Sequence, residues 1–413
     1  MLTMTTRRAL IVHLPAAALA GSVLSRMTFA ADKSVTIGIN VPLTGSDAEA
    51  ATQIKDGAMM AVDEVNGMVA GYKINIRVLD DGTTTAGQYD PAQAATNARK
   101  MVADPSVVAA IGPEMSGSGK AMAPILSQGN LATITPSSTN PDITDPKFAA
   151  QFRPMGKAIY FRTVTTDAYQ GPNMANYFAQ TLKVKKVYIL DDGGAYGVGM
   201  ADAFEAQAKK NGIEVLGHDQ LDPREANYTT ILTKIKGLGP DGLYYGGTSL
   251  AGIKLVKQSY DILPNIIKAG GDGVYSAPLL KGAGHPAMDG WYATIAAPYI
   301  AGNPEVAPWI KTFNEKYGIG PSGYSFTAYD GMLVIFDSIK RLVTEGKPVN
   351  RDNMRDAIHS GSVKTLQGTV SFDENGDIKD RTVSVFRYEY NGKYPVDDVI
   401  HQYKYLGVAP ETA

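Results

Sequence analysis

The chain of 413 residues has no cysteine, two tryptophans and five histidines, and charged residues make up only 19% of it, with a formal net charge of −2. Each shortage excludes something. Without cysteine there is no disulfide to staple the fold and no lipidated cysteine to tether it to a membrane. A chain of this length must then hold together by burying apolar surface, and its size suggests two domains of ordinary dimensions. The near-neutral charge balance gives no basic face suited to nucleic acid. The one extended apolar run, residues 9–24, is interrupted by His13 and Pro15 and is too short to be a permanent membrane anchor. It follows Arg7-Arg8 and leads to Thr28-Phe29-Ala30, so residues 1–30 are expected to be an export signal cleaved near Ala30, by either the general secretory or the twin-arginine route. The remainder is expected to be soluble in the periplasm.

Motifs for catalysis and metal binding are also wanting. Gly119-Lys120 could end a phosphate loop, but Glu114 stands where its first glycine belongs and Ala121 where Ser or Thr should follow. Gly247-Thr248-Ser249-Leu250-Ala251 sits at a strand-to-helix turn, yet it ends in alanine, and a helix N-cap is the simpler reading. His218, His285, His359 and His401 show no metal spacing and read as surface residues. Residues 373–377, DENGD, open like a calcium loop, but its closing glutamate would fall at Ser384, so an Asn-Gly hairpin turn is expected there. No catalytic residue, metal or cofactor is therefore expected, and the protein does not read as an enzyme.

What the sequence does contain is a regular alternation of strand and helix patterns joined by short loops, the mark of parallel sheets wrapped by helices. Expected strands are 34–41, 72–79, 107–111, 131–135, 186–190, 241–245, 265–269 and 382–390. Expected helices are 46–66, with a Ser46/Glu49 capping box, then 90–103, 119–128, 169–182, 200–210, 227–236, 250–260, 307–317 and 327–344. The stretch 107–141 organises the rest, because two short apolar strands there each empty into a loop of small hydroxyl residues. Ser116 and Ser118 follow the first strand, and Ser137, Ser138 and Thr139 the second. At the carboxyl ends of parallel strands such loops and the helix N-termini beside them suit an anion such as a carboxylate, although turn-forming Ser and Thr are the plainer alternative.

Several short motifs recur in a fixed order: IG…S at 111–116, TPSSTNP at 135–141, QGP at 170–172, AYG at 195–197, YYGG at 244–247 and GGDG at 270–273. In this order they resemble the periplasmic substrate-binding proteins of amino-acid ABC importers, the type that includes the leucine/isoleucine/valine-binding protein. The resemblance implies an α/β fold of two Rossmann-like lobes, each a mostly parallel sheet flanked by helices, joined by a three-stranded hinge. The chain would cross near 161–163, 291–297 and 367–372, giving one lobe of 31–161 with 297–367 and another of 162–296 with 368–413.

The resemblance also implies roles. Ser116 and Thr139 would hold a ligand carboxylate through hydroxyl and main-chain N–H, with Ser138 in the same loop, and Ser137 would offer a carbonyl to the ligand ammonium. Asp272 would supply its counter-charge, and Tyr196 would cover the ligand from the second lobe, a core or surface tyrosine being the rival reading. Where branched-chain binders carry aromatics, this chain has Ala50 and Thr248, so a wide pocket taking a larger or more polar side chain is expected. Glu114 adds an acid, ordinarily a solvated loop position. The function implied is that of a monomeric solute-binding component that delivers an amino acid or related compound to a membrane permease. The alternatives are a sensory protein presenting its solute to a receptor and, third, a hydrolase.

Overall fold

The computed structural model describes residues 33–411, so the export-signal reading of 1–30 lies outside the described residues. The chain begins with β1 (Ser34–Val41), α1 (Ala48–Glu64), β2 (Tyr72–Asp80), α2 (Pro91–Ala103), β3 (Val107–Ile111), α3 (Ser116–Gln128), β4 (Thr133–Thr135) and β5 (Tyr160–Arg162). Together with a short edge strand, Met68–Val69, these strands form a sheet ordered Met68–Val69, β2, β1, β3, β4, β5, parallel except at that edge. β1 is buried from Val35 to Val41 because helices cover both faces of the sheet, which is why it reads as a near-continuous apolar run.

A second series follows: α4 (Asp167–Gln180), β6 (Lys186–Asp191), α5 (Ala195–Lys210), β7 (Glu214–Gln220), α6 (Thr229–Leu238), β8 (Gly242–Gly246), α7 (Ser249–Ile262), β9 (Ile267–Gly270), α8 (Ala277–Ala283) and β10 (Tyr292–Ile295). After α9 (Ala307–Tyr317), α10 (Gly323–Thr344) and α11 (Arg351–His359) come a hairpin, β11 (Ser362–Thr365) and β12 (Gly368–Ser371), and two final strands, β13 (Ser384–Tyr388) and β14 (Tyr403–Val408). The second sheet is ordered β7, β6, β8, β9, β10, β13, β14, parallel up to β10 and antiparallel beyond. The result is the two-lobed α/β arrangement that the resemblance implies.

Each sheet reverses its winding beside its first strand, between β1 and β3 in one lobe and between β6 and β8 in the other. Such a switch point opens a crevice at the carboxyl ends of the strands, and here the two crevices face each other. α9, α10 and α11 return to the first lobe, where Phe326, Met332, Ile335 and Ile339 join one core with Ile37, Ile39, Ile54 and Ala58. Gly57 makes the approach of α1 to α10 possible, since a Cβ there would stand 2.1 Å from the Ser325 carbonyl oxygen.

The first two crossings fall after Arg162 and after Ile295, and their segments are joined by Thr165 N–H donating to Ala296 O at 2.8 Å. The third departs from expectation. Val370, Phe372 and Ile378 pack into the first-lobe core, and Phe372 lies against Phe161 with ring centroids 5.0 Å apart, so the chain passes over only at residues 379–383. The Asn-Gly turn expected at 373–377 is formed, with Asp373 Oδ1 accepting from the N–H groups of Asn375, Gly376 and Asp377. The Ser46/Glu49 capping box is not: Asp47 is the N-cap of α1, makes no capping bond, and accepts instead from Tyr89 N–H at 3.0 Å.

Candidate functional site

Every residue singled out from the sequence follows a strand's carboxyl end. Ser116 comes after β3, Ser137, Ser138 and Thr139 after β4, Tyr196 after β6, Thr248 after β8 and Asp272 after β9. A cavity lies between the lobes, and Ser116, Ser137, Tyr196, Thr248 and Asp272 line it together with Ala50. Ser138 and Thr139 do not. The Ser138 hydroxyl is turned away to accept from Tyr160 at 2.8 Å, and Thr139 is fully buried, its carbonyl accepting from Asp167 N–H and its hydroxyl without a partner. Ser118 is also withdrawn, donating to Asp81 at 2.5 Å.

Ser116 opens α3, whose leading N–H groups have no carbonyl within the helix and face the cavity end of the sheet. Its Oγ accepts from Asn140 N–H at 3.2 Å, which ties the two hydroxyl loops together. Opposite stands Asp272, in a single 3₁₀ turn, Asp272–Val274, after β9. Its Oδ1 accepts from Tyr196 Oη at 2.6 Å and from Gln170 Nε2 at 3.0 Å, and its Oδ2 accepts from Tyr324 Oη. The GGDG motif permits this placement. A Cβ on Gly271 would lie 2.5 Å from Tyr196 Oη, and one on Gly273 would lie 2.2 Å from the Gly247 carbonyl oxygen.

Gln170, from the QGP motif in α4, bridges two acids: the same Nε2 reaches Asp167 Oδ1 at 3.3 Å while its Oε1 accepts from Thr294. Burial raises both carboxyls, and Asp272 raises Asp167 further. Asp272 accepts from three side-chain donors, which favour its anionic form, while burial and the neighbouring Asp272 disfavour a second charge on Asp167.

Four lining residues that matter were missed or misread. Tyr275 and Tyr324 supply aromatic surface, although nothing marks them among 22 tyrosines. Asp47, between Ser46 and Glu49, also lines the cavity, and no local pattern singles it out. Glu114, expected to be solvated, is 5% exposed, because Ser137 Oγ donates to its carbonyl at 3.0 Å and folds the loop inward. Burial, with Asp47 and Asp81 nearby, holds its carboxyl well above the usual range. Thr248 occupies the N-cap position of α7 but makes no side-chain capping bond, its N–H and hydroxyl both donating to Asp192 instead.

His218 is not a plain surface residue. It is half-buried, with Nδ1 2.7 Å from Glu205 and Nε2 3.0 Å from Asp191, and hydrogen bonding to Asp191 pushes its imidazole up to about 9. The ring lies between these two acids, which favour its protonated form.

The periplasmic binding protein family matches residues 34–393. A Leu/Ile/Val-binding protein homolog of Brucella melitensis is 30% identical over 87% of this chain and 93% of its own length. An amino acid binding protein of Pseudomonas aeruginosa is 29% identical over 91% and 96%. In fold, the chain is similar to a leucine binding protein from Thermotoga maritima, at TM-score 0.78 and 23% identity over 91% of this chain and 98% of that one. It is likewise similar to an ABC transporter solute binding protein from R. palustris in complex with benzoate, at TM-score 0.75 and 20% identity over 92% and 98%. From its sequence match, its two-lobed fold and the cavity between the lobes, the chain belongs to the periplasmic binding protein family, whose members bind solutes and are not enzymes.

Proposed function

We propose that this protein holds an α-amino acid or a close relative between its lobes and delivers it to the membrane permease of an ABC importer. The observation that carries the reading is Asp272, a carboxylate buried at the cavity wall and held by three side-chain donors, facing the first turn of α3 across the cavity. A zwitterion leaving water loses several kcal/mol of hydration per charge unless partners replace it. Asp272, with the Ser137 carbonyl, would answer the ammonium, while Ser116 and the N–H groups beginning α3 would answer the carboxylate. The relatives' names point the same way. A simple aromatic acid, as in the R. palustris neighbour, has no group to pair with Asp272.

The three chain crossings act in this reading as a hinge between lobes that close on the ligand, with export to the periplasm by residues 1–30 and action as a monomer. A thermal-shift screen over amino acids, amides and small carboxylic acids tests it. A ligand at a hundred times its Kd stabilises the fold by about 2.7 kcal/mol, and α-amino acids should give the largest shifts. Transport on reconstitution with the cognate importer then separates delivery from signalling.

A further inference from the structure

The cavity is one-sided in charge. Among the described residues lining it are three acids, Asp47, Glu114 and Asp272, and neither lysine nor arginine. The nearby buried cation, Arg162, is already committed, to Asp377 at 2.8 Å and to the Asn140 carbonyl at 2.7 Å. Asp272 lies on the second lobe. Asp47 and Glu114 lie on the first, at the crevice between the ends of β1 and β3.

The three acids are not equally provided for. Asp272 has three donors, and Asp47 accepts from Tyr89 N–H at 3.0 Å and from Ser46 Oγ at 3.2 Å. Glu114 is among the residues lining the cavity, and its buried Oε2 has no hydrogen bond. Buried polar atoms are almost always satisfied, so an orphan carboxylate oxygen at a ligand cavity marks a place where the ligand brings a donor. An amino acid with an aliphatic side chain has a single ammonium, which Asp272 takes, and would leave Glu114 as it is. Ala50 and Thr248 leave room beside these acids for a longer side chain, and Tyr275 and Tyr324 offer faces suited to a cation or to its methylene stem.

We propose that the cavity selects an α-amino acid whose side chain ends in a cationic nitrogen, an ammonium or guanidinium group, placed against Glu114 and Asp47 while Asp272 holds the α-ammonium. This rests on the amino-acid reading above and names the class of ligand within it.

The test compares L-lysine and L-arginine with L-norleucine, which has lysine's carbon chain and lacks its terminal nitrogen, by calorimetry on the wild type, Glu114→Gln and Asp47→Asn. The wild type should bind the tighter of the two basic amino acids at least a hundredfold better than norleucine. Glu114→Gln, the same shape without the charge, should cut that ratio at least tenfold while norleucine binding holds or improves. Asp47→Asn reads the same ratio should Glu114→Gln fail to fold. Norleucine binding as tightly as lysine and arginine would overturn the selectivity and leave the amino-acid reading standing. A ratio unchanged in a folded Glu114→Gln would overturn the assignment to Glu114. Failure of all three amino acids to bind would overturn the selectivity, and the absence of a shift with every α-amino acid in the thermal-shift screen would overturn the amino-acid reading as well.

Discussion

Tyr324, carried by the first lobe at the start of α10, donates its phenol hydrogen to Asp272 on the second. Asn140 Nδ2 donating to the Ala195 carbonyl at 2.7 Å and Lys281 Nζ donating to Glu49 at 3.2 Å also join the lobes. The exposed Lys281 pair contributes little, whereas a bond to a buried carboxylate is of the strong kind. Tyr324 thus links lobe closure to the state of the acid assigned to the ligand.

Tyr324→Phe should therefore weaken ligand binding. A hydrogen bond to a charged group contributes about 1.5–3 kcal/mol, which corresponds to a loss of roughly ten- to hundredfold in affinity, with the far-ultraviolet circular dichroism unchanged. Calorimetry with the ligand found by thermal shift measures it. Unaltered affinity would reduce Tyr324 to a packing residue.

Asp272→Asn separates binding from folding. Removing the counter-charge of a desolvated ammonium costs about 3–5 kcal/mol, so affinity should fall by two orders of magnitude or more. The free protein should be no less stable at pH 8, because the substitution also removes a buried negative charge beside Asp167. A melting temperature clearly below that of the wild type at pH 8 would show that Asp272 holds the fold together and does not act for the ligand alone.

The buried acids also set how stability depends on pH. Burial raises Asp81 and Asp330 to about 6, and raises Asp272, Asp167 and Glu114 as well. In the unfolded chain such groups titrate near 4, roughly. Between these values the folded state binds more protons than the unfolded one, so the stability linked to these groups is full below pH 4 and is lost as pH rises through 6 and beyond. His218, raised to about 9, has the same sign at higher pH. Exposed acids such as Asp219 and Glu389, held low by Lys234 and Arg387, lose their contribution in acid. The melting temperature of the free protein should peak near pH 5, roughly, and decline toward pH 8. A rise from pH 5.5 to 8 in differential scanning calorimetry would contradict this.

Much of the fold could be read from hydrophobic alternation, because parallel strands buried on both faces, such as β1, β3 and β8, carry continuous apolar runs. β7 could not, since it is an edge strand whose sequence, EVLGHDQ, is half-exposed and unpatterned. α5 begins at Ala195 and not near residue 200, because its glycines read as loop although they serve contact: a Cβ on Gly197 would lie 2.6 Å from the Gly246 carbonyl oxygen. The strand-end motifs brought Ser116, Ser137, Tyr196, Thr248 and Asp272 to one cavity. Tyr275, Tyr324 and the inward turn of Glu114 depend on how distant segments pack, and no local pattern encodes that.

The measurement that bears most directly on the site is calorimetry of the wild type with three forms of one ligand: the L-amino acid giving the largest thermal shift, its methyl ester, which lacks the carboxylate, and its des-amino acid, which lacks the ammonium. If Asp272 and the α3 terminus with Ser116 hold the two charges of a zwitterion, each analogue should bind at least a hundredfold more weakly than the parent. Either analogue binding within a few-fold of the parent would contradict the account.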